Sequence, residues 1–273
     1  MTYTTPNNNS SAERVPARGR VPRSADLTGQ VALVTGASRG IGQAIAIRLG
    51  LLGASVVVNY SRDAARAAET VAAITAAGSD ALAVQADISQ PSQVESLFEA
   101  ARTWFGGVDI LVANAGIDET GGPIVDVTEA DYDRMFGVNA KGAFFTLQQA
   151  ARTVNRGGTI VYIGSGSALR PVAGFGLYAS SKLVGSYLTG VLAQEIGERE
   201  ITVNTIFASA TDGAGYFSAD AGDDPLRTLV QNASPLGSRM GSVDDVADAV
   251  EYFVGPLSRW VSGAQLLVSG GQN

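Results

Sequence analysis

Val31-Ala32-Leu33-Val34-Thr35 runs without a break into Gly36-Ala37-Ser38-Arg39-Gly40-Ile41-Gly42, and from there into a stretch rich in Ala, Ile and Leu with helical period. A short β-branched run, a glycine turn and a helix are the opening of a βαβ unit. Glycines at such a junction let the backbone approach a pyrophosphate closely, and the free N–H groups and dipole of the following helix favour its negative charge. Position in the chain therefore gives this turn its meaning: a dinucleotide at the carboxyl end of the first strand.

Working outward, the same alternation repeats along the chain. Strands are expected at 31–35, 55–59, 81–85, 109–113, 158–163, 201–206 and 264–268, with helices at 41–52, 63–77, 91–105, 128–154, 178–198 and 243–254. Thr128 and Asp131 have capping-pair spacing at the fourth helix. Each crossover is long enough for a right-handed connection, no linker divides the chain, and there is no solenoid period. The expectation is one α/β domain over residues 26–273, a doubly wound Rossmann fold with a seven-stranded parallel sheet.

Residues 1–25 break the pattern, with three prolines, three consecutive asparagines and four arginines against one acid. They are expected to be a disordered extension. An organellar targeting peptide is the alternative, but the prolines oppose its amphipathic helix. This stretch carries +3, which leaves −10 on the other 248 residues of a chain whose formal net charge is −7. A general nucleic-acid binder is excluded by that balance. The chain has no cysteine and no histidine, which removes disulfides, thiolate nucleophiles, Ser-His-Asp chemistry and the usual zinc ligand sets. Chemistry must use Tyr, Lys, Ser, carboxylates or a cofactor. No apolar run of about 18 residues suggests a membrane span, and the cytoplasm is the expected compartment.

The spacing G-x-x-x-G-x-G in Thr35–Gly42 resembles the first turn of the short-chain dehydrogenase/reductase family, and the likeness extends over about residues 28–272. Asp87-Ile88 follows the third strand, where that family holds the adenine. Asn114-Ala115-Gly116 follows the fourth, where it has N-N-A-G. Ser262-Gly263 and Gly270-Gly271 match its closing pattern. The resemblance implies a cofactor site built from Gly36, Ser38, Arg39, Gly40, Ile41, Gly42, Asn59, Tyr60, Ser61, Arg62, Asp87, Ile88, Asn114, Ala115 and Gly116, with Tyr178, Lys182 and Thr211 at its nicotinamide end. After the second strand no carboxylate occurs until Asp63, whereas Arg39 and Arg62 offer cations and Asn59 and Ser61 hydrogen bonds. A ribose 2′-phosphate needs such groups, and an acid would repel it, so the expected cofactor is NADP(H).

Tyr178 and Lys182 are four residues apart and share a helical face. The pair alone would read as a phenol packed over a lysine stem. Ser165 precedes Tyr178 by 13 residues, the interval at which the family places its serine, with Ser167 as the alternative. Asn139 matches the asparagine that completes the family's tetrad. The resemblance implies hydride transfer between the nicotinamide and a carbonyl carbon, with Tyr178 as acid in reduction and base in oxidation. Lys182 would stabilise the phenolate and hold the ribose, Ser165 would bond the substrate oxygen, and Asn139 would position a water.

Three departures from the family pattern stand out. Ala208 and Ser209 replace its Pro-Gly and Gly213 its threonine, which leaves Thr211 as the candidate at the carboxamide; Ala113 replaces the first Asn of N-N-A-G; and Ser269 replaces an Asp. Segment 207–240, interrupted by Pro225 and Pro235, is expected as the substrate loop, with Tyr216 and Phe217 available to a ligand and Asp220, Asp223 and Asp224 as loop charges. The favoured function is an NADPH-dependent ketone reductase for a small or mid-sized carbonyl compound, similar to 3-oxoacyl carrier-protein reductases and polyketide or naphthol ketone reductases. An alcohol or sugar dehydrogenase working oxidatively, and a silent cofactor-binding scaffold, are the alternatives. Family resemblance further implies a homodimer or homotetramer formed through the fourth and fifth long helices and the last strand.

Overall fold

The computed structural model describes residues 25–118, 122–218 and 225–272. The main sheet contains β1 (Val31–Val34), β2 (Ser55–Tyr60), β3 (Ala81–Gln85), β4 (Ile110–Ala113), β5 (Thr159–Ser165), β6 (Thr202–Ala208) and β9 (Gln265–Val268). All pairings are parallel, in the order β3-β2-β1-β4-β5-β6-β9. The central strands are near-continuous apolar runs because helices cover both faces of the sheet. On one face lie α1 (Gly40–Leu51), α2 (Ala64–Ala76) and α8 (Val243–Val254), which bury Ile45, Leu49, Ile74, Val246 and Phe253. On the other, α3 (Pro91–Phe105), α5 (Ala143–Thr153) and α6 (Gly176–Glu195) pack Leu97, Phe98, Leu147, Leu188 and Leu192.

Strand order reverses between β1 and β4, and a crevice opens at the carboxyl ends of strands at such a switch point. Here the two strand ends are tied together. Thr35 Oγ1 accepts from the N–H groups of Asn114 and Ala115, both at 3.0 Å, and Asn114 Nδ2 donates to the Thr35 carbonyl at 2.9 Å and the Gly36 carbonyl at 3.2 Å.

The sheet and its crossovers follow the sequence expectation, and three local features differ. The helix expected at 128–154 is three pieces: α4 (Glu129–Phe136), a π-helical turn at Gly137–Gly142, and α5. Thr128 and Asp131 do form a capping box at the start of α4. Ser165, expected in a loop, is the last residue of β5, because the pairing with β6 continues to Ser165↔Ala208. Segment 207–240 is more ordered than a loop. It holds β7 (Thr211–Asp212), a 3₁₀ turn at Gly215–Phe217 and α7 (Pro225–Asn232), and β7 pairs with β8 (Gly241–Ser242). Pro225 was read as an interruption, yet proline is well tolerated in the first turn of a helix, where its missing N–H has no intrahelical partner to lose. The expected extension, apart from the buried Ala25, and the loop charges Asp220, Asp223 and Asp224 lie outside the described residues.

Candidate active site

The glycine turn has the backbone its residues permit. Gly36 and Gly40 take positive φ, +64° and +57°, which a side chain would strain, and a Cβ on Gly36 would stand 2.9 Å from Ala115 Cα. α1 starts at Gly40 with Arg39 at its N-cap, no side-chain cap and no acid in its first turn. Among the described residues no side chain caps its leading N–H groups, which suits an anion. By contrast Asp63 caps α2 by accepting from Arg66 N at 3.0 Å, so the first carboxylate after β2 is committed to its own helix.

Asn59 has a different place from the one its type suggested. It is buried, accepts from Gly36 N at 3.1 Å, and donates to the Ala86 carbonyl at 3.0 Å and the Val84 and Tyr60 carbonyls at 3.3 Å. Its amide thus braces the turn against β3 and has no hydrogen left for a ribose phosphate. Arg39, Ser61 and Arg62 are exposed, while Ser38, Ile41 and Tyr60 are half-buried. Asp87 accepts from Ser89 N at 2.9 Å, and Ile88 is buried against Gly142.

β5 and α6 carry the remaining groups to one spot. Ser165 lies beside the Tyr178 phenol, and its Oγ is 2.9 Å from that of Ser167. One turn beyond Tyr178, Lys182 is 4% exposed. Gly116 borders it: a Cβ there would meet Asn139 Oδ1 at 3.0 Å and Lys182 Nζ at 3.2 Å, so these two polar atoms line one space that any side chain would fill. Asn139 lies in the π-helical turn, a distortion often found at functional sites. Its amide donates to the Ile117 carbonyl at 2.9 Å, Ser181 Oγ at 3.0 Å and Met135 Sδ at 3.1 Å, and its Oδ1 accepts from Ile117 N at 2.9 Å. Ser181, itself buried, is a supporting residue that the sequence reading did not single out.

Asp118 is the larger omission. One carboxylate oxygen accepts from Tyr216 N at 3.2 Å, and the other is buried with no hydrogen-bond partner among the described residues. Its carboxyl is held above the ordinary range by burial, against the opposing effects of that bond and of Lys182. The available signal was its position two residues after Gly116.

Burial, then the charge of Asp118, pushes the Tyr178 phenol well above its ordinary value, and Ser165 opposes this. Burial pushes Lys182 down to about 8, with Asp118 opposing. Desolvation is the largest influence on both groups. Tyr178 holds its proton, the state a proton donor needs.

Thr211 is buried, and its hydroxyl donates to the Ser209 carbonyl at 2.9 Å. Beyond it the chain crosses the glycine turn: a Cβ on Gly40 would lie 3.4 Å from the Gly213 carbonyl, and one on Gly215 would lie 2.8 Å from Asp118 Oδ2. Phe217 is buried, edge-on to Tyr216 and beneath the Arg227 guanidinium, so it packs on protein instead of facing a ligand.

Comparison with known proteins gives the family. Residues 36–273 match the family described as Enoyl-(Acyl carrier protein) reductase. Versicolorin reductase stcU of Emericella nidulans is 37% identical over 255 residues, 90% of this chain and 96% of that protein. A short-chain dehydrogenase from Burkholderia cenocepacia, solved in complex with NADP, is 41% identical with a TM-score of 0.83, covering 91% of this chain and 99% of that one. The promiscuous reductase LugOII, described as catalysing keto-reduction at C1 in lugdunomycin biosynthesis, is 36% identical with a TM-score of 0.83, again covering 91% and 99%. The chain belongs to the short-chain dehydrogenase/reductase family and is an oxidoreductase that uses a nicotinamide dinucleotide.

Proposed function

We propose that this protein is an NADPH-dependent ketone reductase acting on small or mid-sized carbonyl compounds, with Asn139, Ser165, Tyr178 and Lys182 as its catalytic set. The observation that carries the reading is the meeting of Ser165, at the end of β5, with the Tyr178 phenol, one helical turn from the buried Lys182, whose Nζ shares a space with Asn139 Oδ1. The dinucleotide fits the residues present. An uncapped helix start faces the turn, and Gly116 leaves a space beside Lys182 that a side chain would close. The names of the relatives, a versicolorin reductase and a keto-reducing enzyme, support the same chemistry.

When bound, NADPH supplies the hydride. Ser165 holds the carbonyl oxygen as negative charge builds there, and Tyr178 passes its proton to that oxygen. Lys182 then faces a phenolate, which its ammonium stabilises, and its donors reach the nicotinamide ribose. Both amide hydrogens of Asn139 are committed, so a water that restores the proton is held by its Oδ1 or its backbone. Selection of NADP(H) over NAD(H) falls to Arg39, Ser61 and Arg62, because Asn59 is enclosed and Asp63 caps a helix. Gly36, Ser38, Gly40, Ile41 and Gly42 would border the pyrophosphate of a bound dinucleotide, Asp87 and Ile88 its adenine, and Asn114, Ala115, Gly116 and Thr211 its nicotinamide half.

The active unit is a homodimer or homotetramer. Phe144 on α5, Leu183 and Tyr187 on α6, and Leu266 on the edge strand β9 are exposed apolar side chains on the elements such contacts would use. Light scattering on the purified protein measures the assembly. The domain spans 26–273 after a tail, and the protein acts in the cytoplasm; among the described residues no helix is long and apolar enough to cross a membrane.

The test is initial-rate kinetics on a panel of cyclic, aromatic and β-keto substrates, with an enoyl thioester as control. Ketone turnover with NADPH favoured in kcat/KM is the expected result. Preference for NADH, or turnover of the enoyl compound alone, would overturn the reading.

A further inference from the structure

Tyr162, near the middle of β5, is 1% exposed and faces the α6 layer. Its hydroxyl donates to the backbone carbonyl of Lys182 at 3.2 Å, and the Lys182 ammonium nitrogen lies over its ring, 5.2 Å from the centroid. Small residues make room for this large one. On α6, a Cβ at Gly185 would stand 2.3 to 2.7 Å from three carbons of the ring, so no residue but glycine leaves the ring where it is. On β4, the register partner of Tyr162 is Ala113, the position at which this chain departs from the N-N-A-G pattern. Tyr162, Gly185 and Ala113 thus form one large-and-small arrangement packed against the lysine of the candidate site.

An ammonium taken out of water lacks hydration, and an aromatic face within about 6 Å replaces part of it through the ring quadrupole. Among the described residues, Asp118, from the segment after β4, acts on Lys182, and the Tyr178 phenol on α6 acts on Tyr162; the neutral Asn139 Oδ1 stands across the Gly116 space.

We propose that Tyr162 is a positioning residue for Lys182: its ring supports the ammonium from the sheet side, and its hydroxyl pins the lysine backbone, so that the lysine stays both charged and aimed at the nicotinamide ribose. This rests on the catalytic reading of Lys182 given above. Tyr162 touches neither substrate nor cofactor, and acts through the lysine alone.

The chain contains only two lysines, Lys182 and the exposed Lys141. Lysine labelled with 13C at Cε therefore reports the Lys182 titration directly by NMR, with Lys141 as the internal reference. Tyr162→Leu removes ring and hydroxyl; the Lys182 midpoint is expected to fall by about one pH unit. The alkaline limb of kcat/KM for reduction should move down with it, and kcat/KM at pH 8 should drop about fivefold. Tyr162→Phe keeps the ring and is expected to leave the titration within about 0.3 pH unit of wild type. Should Tyr162→Leu fail to fold, Gly185→Ala displaces the ring and is expected to lower the same midpoint. A wild-type Lys182 titration in folded Tyr162→Leu or Gly185→Ala overturns the proposal. Failure of the underlying reading looks different: Lys182→Met and Tyr178→Phe would then retain turnover, whatever Lys182 titrates at.

Discussion

Asp118 Oδ2 accepts the Tyr216 N–H at 3.2 Å, which fastens the segment after β4 to the segment after β7 beside the candidate catalytic pair. Its charge acts on both members of that pair in the same direction, raising Tyr178 and Lys182 alike. Asp118→Asn keeps an acceptor for Tyr216 and removes the charge. Lys182 then loses its proton at a lower pH, so the fall of kcat/KM for reduction on the alkaline side, expected from about pH 8 in the wild type, should move down by about one pH unit. An unchanged pH–rate profile would show that the carboxylate is a loop fastener only.

Tyr178→Phe removes the proton donor and little of the binding surface. Turnover should fall below a tenth of wild type, while NADPH affinity measured by fluorescence titration stays within about threefold. Ser165→Ala should lower kcat by about 10² to 10³, the usual loss for one donor to a developing oxyanion. Ser167→Ala should cost far less, because it is Ser165 that stands beside the phenol. Equal losses at the two serines would return Ser167 to the role.

Gly116→Ala places a methyl 3.0 Å from Asn139 Oδ1 and 3.2 Å from Lys182 Nζ. Both must give by a few tenths of an ångström, less than the misplacement of about 1 Å that typically costs a hundredfold in rate. The expected outcome is a kcat lowered by about tenfold in a protein whose circular dichroism is unchanged.

Arg39 and Arg62 are the exposed cations at the ends of β1 and β2. Charge-assisted bonds to a phosphate are strong, so Arg39→Ala and Arg62→Ala should each raise KM for NADPH by about tenfold and leave KM for NADH nearly unaltered. Parallel loss with both cofactors would place these arginines on another part of the nucleotide.

Asp245 closes the capping box at the start of α8 with Ser242 and receives Arg239 through bonds of 2.6 and 2.8 Å. Arg239 first, then Ser242, holds its carboxyl well below the usual range. A depressed folded-state value stabilises the fold above the unfolded value, about 3.9, and this contribution fades as pH falls through and below it. Asp245→Asn should therefore lower Tm at pH 6, and the gap from wild type should narrow below about pH 4 in differential scanning calorimetry.

Much of the candidate site was legible in local spacing. The turn Gly36–Gly42, the four-residue step from Tyr178 to Lys182 and the cap Thr128–Asp131 are patterns within one element, and each lies where its spacing implied. Asn59 illustrates the limit. Its residue type suits a phosphate, but whether its amide faces solvent depends on the end of β3 and the residue after it, Ala86, whose carbonyl lies 27 residues away. Asp118 carried no local pattern at all; its relation to Tyr216 spans 98 residues.

The sequence by itself determined the seven strands, their helical crossovers and the residue types available for chemistry, because apolar periods of two and 3.6 and the absence of His and Cys are properties of the chain read in order. Only the tertiary structure decided that the fourth helix bulges at Asn139, that Asn59 braces the glycine turn, and that Tyr162 fills the space left by Gly185 and Ala113 beneath Lys182. Those outcomes depend on close packing between elements distant in sequence, where a single missing Cβ or one enclosed carboxylate changes which groups meet and which ionise.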